Sequence, residues 1–111
     1  MRHFLNEEEI KGLVDLGVID DDPFFYMTGI VDDGFLMDLL PDTINWCNQE
    51  CILKINYVGK LKRWTVKYSY ILGDTETDLF GVVEDSLVYA LARTAAILVE
   101  DYHIYFNCET K

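Results

Sequence analysis

Apolar and polar residues alternate in the middle of the chain. Over residues 51–57 the odd positions are apolar, whereas Lys54 and Asn56 face the other way. Over residues 63–70 the even positions are apolar and the odd positions are polar or basic. A period of two residues is that of a β-strand, and Gly59 supplies a turn between the two segments. The pattern predicts an antiparallel hairpin with one buried face and one basic face.

A third strand and a long helix follow the hairpin. We expect a shorter strand over residues 78–83, after a turn at Gly73. Apolar residues then recur at helical spacing, and either Glu84 or Asp85 is placed to cap the start of a helix. The apolar stripe consists of Leu87, Leu91, Thr94 or Ala95, and Leu98. Small alanines beside this stripe favour packing of the helix, over about residues 85–100, against a sheet.

Short helices are expected in the first half of the chain. Asn6 followed by three glutamates is a capping-box pattern, in which the Asn6 side chain accepts from the amide of Glu9 and the Glu9 side chain reaches back. Gly17 is placed to end this helix. A second short helix is predicted over residues 22–29. A third is predicted over residues 35–40, preceded by Asp32 and Asp33, and the following proline bends or stops it.

Together these patterns predict an α+β domain. Its parts are a three-stranded antiparallel sheet, a helix of about residues 85–100 packed on one face, and short N-terminal helices. We expect the 111 residues to form a single domain, acidic and mostly helical over residues 1–50 and hairpin, strand and helix over residues 51–111. Residues 102–106 either extend the last helix or add an edge strand. With 50% hydrophobic residues the chain can form a core without disulfides, which excludes disorder.

Charge divides the chain into three blocks. Residues 1–50 hold twelve acidic and two basic residues, residues 51–72 hold five basic and no acidic residues, and residues 73–111 hold eight acidic and two basic residues. The net charge is −11. A chain of this charge repels the phosphate backbone, so we expect no direct binding of nucleic acid. A protein complex with a basic nucleic-acid channel is a better match.

The expected location follows from what the sequence lacks. It has no run of about 18 apolar residues that would cross a membrane, and its start has neither the apolar core nor the small-residue cleavage site of a signal peptide. Its three cysteines are an odd number whose spacings fit no disulfide framework, as in a reducing compartment. We therefore expect a cytoplasmic protein without membrane contact.

Part of the second half resembles known small phage proteins. The strand pattern of residues 64–68, followed by the strand and helix patterns of residues 80–96, is similar to that of phage proteins of the ABA sandwich type and to the strand–strand–helix units of several anti-CRISPR proteins. The likeness covers about residues 51–100. It implies a protein encoded by a phage or mobile element that acts in the cytoplasm of the host cell. No residue of known role carries over from those proteins.

Metal binding and catalysis have little support in the sequence. A zinc site would draw on Cys47, Cys51, Cys108 and His103, with the first two one turn apart if that segment is helical, but their spacing fits no known finger. Residues 74–78 with Asp85 are similar to a calcium loop, but Leu79 stands where that loop needs glycine. The two histidines have no serine or cysteine partner in a recognisable motif. We expect no metal, no cofactor and no catalytic residue.

The acidic clusters carry the main functional hypothesis. They comprise Asp20, Asp21, Asp22, Asp32, Asp33, Asp74, Glu76 and Asp78. Regularly spaced carboxylates can imitate a nucleic-acid backbone, so these residues are candidates for binding a protein complex with a basic channel, as in a non-enzymatic inhibitor of a host nucleic-acid-handling or defence complex. The competing interpretation is that they cap helices, form turns and cover a solvated face. A net charge beyond what solubility requires favours the binding role.

The basic block has two interpretations of its own. Its residues are Lys54, Lys60, Lys62, Arg63 and Lys67. They either pair with acidic residues of the same chain or contact an anionic partner, and separate acidic and basic patches would also allow a homodimer. An alternative function is that of a phage accessory or assembly protein with an apolar protein–protein interface.

Overall fold

A four-stranded antiparallel sheet forms the centre of the protein in a computed structural model that describes residues 4–21 and 31–106. The strands are β1 (Thr43–Trp46), β2 (Gln49–Val58), β3 (Arg63–Leu72) and β4 (Thr75–Glu84), and they lie in the sheet in the order of the chain. The hairpin of β2 and β3 and the following strand confirm the period-two prediction.

Three helices accompany the sheet within the described residues: α1 (Glu7–Asp15), α2 (Asp33–Leu39) and α3 (Leu87–Glu100). The predicted capping box of α1 is confirmed, because Asn6 Oδ1 accepts from the Glu9 amide at 2.8 Å and Glu9 Oε1 accepts from the Asn6 amide at 3.0 Å. Gly17, with a φ of 78°, follows the end of α1 as expected. Within residues 4–21 and 31–106, no helix has the length and apolar character needed to cross a membrane.

The core lies on one side of the sheet, beneath α3. Val66 and Tyr68 of β3 are fully buried on this side, so Lys67 between them faces away. From α3, Leu91 and Leu98 are also fully buried. The other side of the sheet, which we call the open face, has no helix packed on it among the described residues.

The predicted α+β class is confirmed, but the sheet has four strands, not three. The strand missed was β1, which is only four residues long with a single buried residue. It joins β2 through a tight turn at Cys47 and Asn48, whose φ values of 51° and 66° are left-handed. Such turns favour asparagine and glycine, and a cysteine in this position gave no signal.

Several boundaries also differ from expectation. Strand β4 begins at Thr75, directly after the Gly73 turn, and not at residue 78. The N-cap of α3 is Ser86, whose Oγ accepts from the Tyr89 amide at 3.3 Å, so neither Glu84 nor Asp85 caps this helix. Residues 102–106 form neither a helical extension nor an edge strand. The predicted helix over residues 22–29 lies outside the described residues.

Candidate functional site

Two of the candidate acids form ion pairs on the open face. Glu76 Oε2 lies 2.8 Å from Lys54 Nζ, and Asp78 Oδ1 lies 3.4 Å from Lys67 Nζ. The hydroxyl of Ser69 also donates to Glu76 Oε2 at 3.1 Å. The acids come from β4 and the lysines from β2 and β3. The ion pairs therefore form because the sheet places these three strands side by side.

These contacts change the chemistry of Glu76. The hydrogen bonds from Lys54 and Ser69 lower the pKa of its carboxyl, and the positive charge of Lys67 adds to the effect. The carboxylate is therefore held in its charged form by residues of its own sheet. Asp74, in contrast, is exposed in the turn between β3 and β4 and has no ion pair with a described base.

A second acidic group lies after α1. The chain reverses at Gly17, where the amide of Val18 donates to Leu13 O at 2.9 Å, and it then passes through a buried pair, Val18 and Ile19. The next two residues, Asp20 and Asp21, are exposed and make no ion pair or side-chain hydrogen bond with the described part of the chain. We call these two residues the acidic loop. Asp22, its predicted neighbour, lies outside the described residues.

The third acidic group has a structural role. Asp32 is the N-cap of α2, and its Oδ1 accepts from the Phe35 amide at 2.9 Å. Asp33 lies in the first turn of the same helix, where a negative charge is favoured by the helix dipole. A local hydrogen bond therefore already uses one oxygen of the Asp32 carboxylate, as the capping interpretation expects, and the role of Asp32 and Asp33 in binding a partner stays a prediction.

The basic residues also divide into two sets. Lys54 and Lys67 are the internally paired set described above. The other set, Lys60, Lys62 and Arg63, lies at the exposed turn between β2 and β3 and forms no ion pair with any described acid. We call these three residues the basic tip.

Aromatic side chains lie next to the basic tip. The rings of Tyr57 and Trp64 are 5.0 Å apart, and 47% of the Tyr57 surface is exposed. The indole N–H of Trp64 is buried and has no acceptor among the described residues. This end of the sheet therefore combines positive charge with accessible apolar surface.

The structure gives no support to the two metal patterns. Cys47 is exposed in the β1–β2 turn and Cys51 is buried in β2, so the pair is not spaced on a helix as the zinc pattern required. Burial raises the pKa of the Cys51 thiol, and the nearby Cys47 raises it further. The calcium pattern fails because Asp74 and Asp85 lie at opposite ends of the ten-residue strand β4. Within the described ranges, no three His, Cys, Asp or Glu side chains could hold a metal ion.

The surface has two depressions that no sequence pattern indicated. One, of about 380 Å³, lies between β1 and residues 104–106, and its walls include Leu39, Pro41 and Ile44. The other, of about 170 Å³, lies between α1 and α3 and is almost wholly apolar. The first is lined by no acidic or basic side chain, and the second is lined by one of each, Glu9 and Arg93.

Comparisons with models of protein families, with curated proteins and with solved structures found nothing that matches this chain. The surfaces described above are therefore the basis for assigning a function.

Proposed function

We propose that this protein is a non-enzymatic inhibitor that binds a basic nucleic-acid channel of a host nucleic-acid-handling or defence complex by presenting carboxylates. The acidic loop, Asp20 with Asp21, is the part of the surface that makes this contact. On this proposal the protein comes from a phage or mobile element and acts in the host cytoplasm.

The proposal rests on one observation: no described base forms an ion pair with Asp20 or Asp21 of the acidic loop. Lys54 and Lys67 form ion pairs with Glu76 and Asp78 of β4, and Arg93 of α3 forms one with Glu84 at the end of the same strand, so these bases are paired elsewhere. Carboxylates without such partners repel one another and contribute no local bond. They remain available for the lysines and arginines of another protein.

The proposal has a direct test against purified RNA-guided DNA-binding complexes. We expect the chain to prevent at least one such complex from binding its DNA target, and we expect the inhibition to weaken as added salt shortens the Debye length below about 8 Å. Excess target DNA should compete with the protein, because both occupy one channel. Inhibition that resists salt and DNA would contradict mimicry by charge.

Matched variants show which acidic residues are responsible for the inhibition. Asp20→Asn with Asp21→Asn removes two charges from the acidic loop, whereas Asp15→Asn with Asp38→Asn removes two exposed charges from α1 and α2. We expect the first pair to abolish inhibition and the second pair to retain it. Equal loss in both would show that only net charge matters.

A second function is favoured by a different observation. Several large apolar side chains are exposed on and around the sheet, including Ile71 at 58% and Val83 at 52%. Such surface suits an accessory or assembly protein that binds through an apolar interface. Partner binding that is insensitive to salt would favour this function over the first.

A further inference from the structure

Exposed hydrophobic side chains concentrate at the two ends of the sheet. Ten large hydrophobic residues are exposed among those described, and seven of them belong to the sheet or to its β2–β3 turn. Those seven are Ile52, Tyr57, Val58, Leu61, Ile71, Leu72 and Val83. A sheet face that only meets water is ordinarily polar, so this surface calls for an explanation.

Four of the seven lie on the open face, as the strand register shows. Ile52 pairs with Ser69 and Val58 pairs with Arg63 across β2 and β3, while Val83 pairs with Thr65 across β3 and β4. Ile71 lies four residues after Lys67 and therefore on the same side as that lysine. Ile52 and Ile71 are toward one end of the strands, and Val58 and Val83 are toward the other.

These two ends carry opposite net charge, because the exposed Asp85 that follows β4 offsets only one of the three bases of the basic tip. The β2–β3 turn, with the basic tip, lies at the end marked by Val58 and Val83. The β1–β2 and β3–β4 turns lie at the opposite end, together with the exposed acids Glu50 and Asp74. Strands of ten residues separate the ends by about 30 Å, well beyond the Debye length in physiological salt, so each end acts as a separate charged patch.

We propose that the open face binds a second copy of this chain, in a two-fold dimer whose stacked sheets run antiparallel. This arrangement places the basic tip of each copy beside Glu50 and Asp74 of the other. It also places Ile52 and Ile71 of each copy against Val58 and Val83 of its partner. Because the contact is isologous, both charged ends are used twice and the assembly closes at two copies.

The centre of the open face is compatible with this stacking. Lys54 and Lys67 are register partners at the middle of the strands, and Glu76 and Asp78 neutralise them within each copy. Two copies therefore do not bring unpaired lysines together at the two-fold axis. Covering these ion pairs does cost desolvation, which limits the affinity of the dimer.

The available area also indicates a weak dimer. Three strands about 4.8 Å apart and about 33 Å long present roughly 500 Å² from each copy, or about 1,000 Å² in total. Specific interfaces of this size are at the lower limit for stable association. We therefore expect a dissociation constant in the micromolar range, and one that rises with added salt.

Charge-swapped variants test the proposal by sedimentation equilibrium. Lys62→Glu with Arg63→Glu reverses the basic tip, and Glu50→Lys with Asp74→Lys reverses the acidic end. Each pair alone should raise the dissociation constant at least about tenfold. Mixed in equal amounts, the two variants should form a heterodimer, because each reversed end then faces an end of opposite charge.

The control is Asp15→Lys with Asp38→Lys, which changes net charge as much as the acidic-end variant but on α1 and α2; it should still dimerise. Circular dichroism melting of each variant shows whether it is folded.

The proposal is overturned if the unaltered chain sediments as a monomer up to about 500 μM, if neither reversal weakens association, or if the mixture stays monomeric. Species that grow beyond two copies would show open head-to-tail association and would also overturn it. The acidic loop is outside this interface, so the result does not depend on the proposed inhibitor function.

Discussion

The acids of strand β4 and those of the acidic loop carry the same carboxylate group, but only the acids of β4 form ion pairs with described bases. Glu76 and Asp78 lie opposite lysines of neighbouring strands and form ion pairs with them. Asp20 and Asp21 follow a chain reversal and form no ion pair with a described base. The difference teaches that an acidic cluster becomes available to a partner only where the fold supplies no countercharge.

The ion pairs between the strands require the core that holds the strands in place. A substitution that removes part of this core should therefore have the largest effect on stability. Leu98 is fully buried in α3, against the sheet. We expect Leu98→Ala to lower the free energy of unfolding by about 2–5 kcal/mol, from lost burial and a residual cavity. Urea denaturation measures this. A loss below about 1 kcal/mol would mean that α3 does not hold the strands in place.

The next effect separates capping acids from loop acids. Asp32→Ala removes the carboxylate that accepts from the Phe35 amide, and we expect it to cost about 1 kcal/mol of stability. Asp20→Ala removes no such bond and relieves repulsion, so its stability should be unchanged or slightly higher. Thermal melting of both variants in one buffer gives the comparison. Equal losses would show that Asp20 also has a local structural role.

Removing one lysine should disturb the strand acids only slightly. Lys67→Met retains an apolar stem but leaves Asp78 without its partner. Partly exposed ion pairs contribute about 0–1 kcal/mol, so we expect a small loss that shrinks further in high salt. Melting at low and high salt measures it. A loss that is large and independent of salt would indicate that Lys67 acts through packing.

The smallest expected effect is a change in how the melting temperature depends on pH when Glu76 is replaced. Folding lowers the pKa of Glu76, so its ion pair stabilises the protein above the ordinary value of 4.5 and loses this effect as pH falls through the lowered pKa. The melting temperature of Glu76→Gln should lie below that of the unaltered chain at neutral pH, with the gap closing as the pH falls through the lowered pKa of Glu76. A gap that widens in acid would contradict the sign of this shift.

Sequence patterns predicted the parts of the fold that repeat over many residues. The alternation in β2 and β3, the Asn6 capping box and the stripe of α3 all appear in the structure. Strand β1 was missed because four residues are too few to establish a period. Its place is fixed by tertiary contact, including the Tyr68 hydroxyl, which donates to Pro41 O at 2.7 Å just before the strand.

The candidate site was less predictable, for a related reason. Glu76 and Lys54 are far apart in the sequence, and only the register of three strands brings them together. The sequence showed an acidic row and a basic block, and it left open whether they pair with one another. By contrast, the cap at Asp32 is a local interaction, and its position before α2 was readable from the chain.

The most direct test of the central claim measures melting and inhibition on the same samples of two variants. Asp20→Asn with Asp21→Asn alters the acidic loop, and Glu76→Gln with Asp78→Asn alters the strand acids by the same charge. We predict that the loop variant keeps its melting temperature and loses inhibition, while the strand variant melts slightly lower and still inhibits. The opposite result, a loop variant that inhibits and a strand variant that does not, would contradict the account.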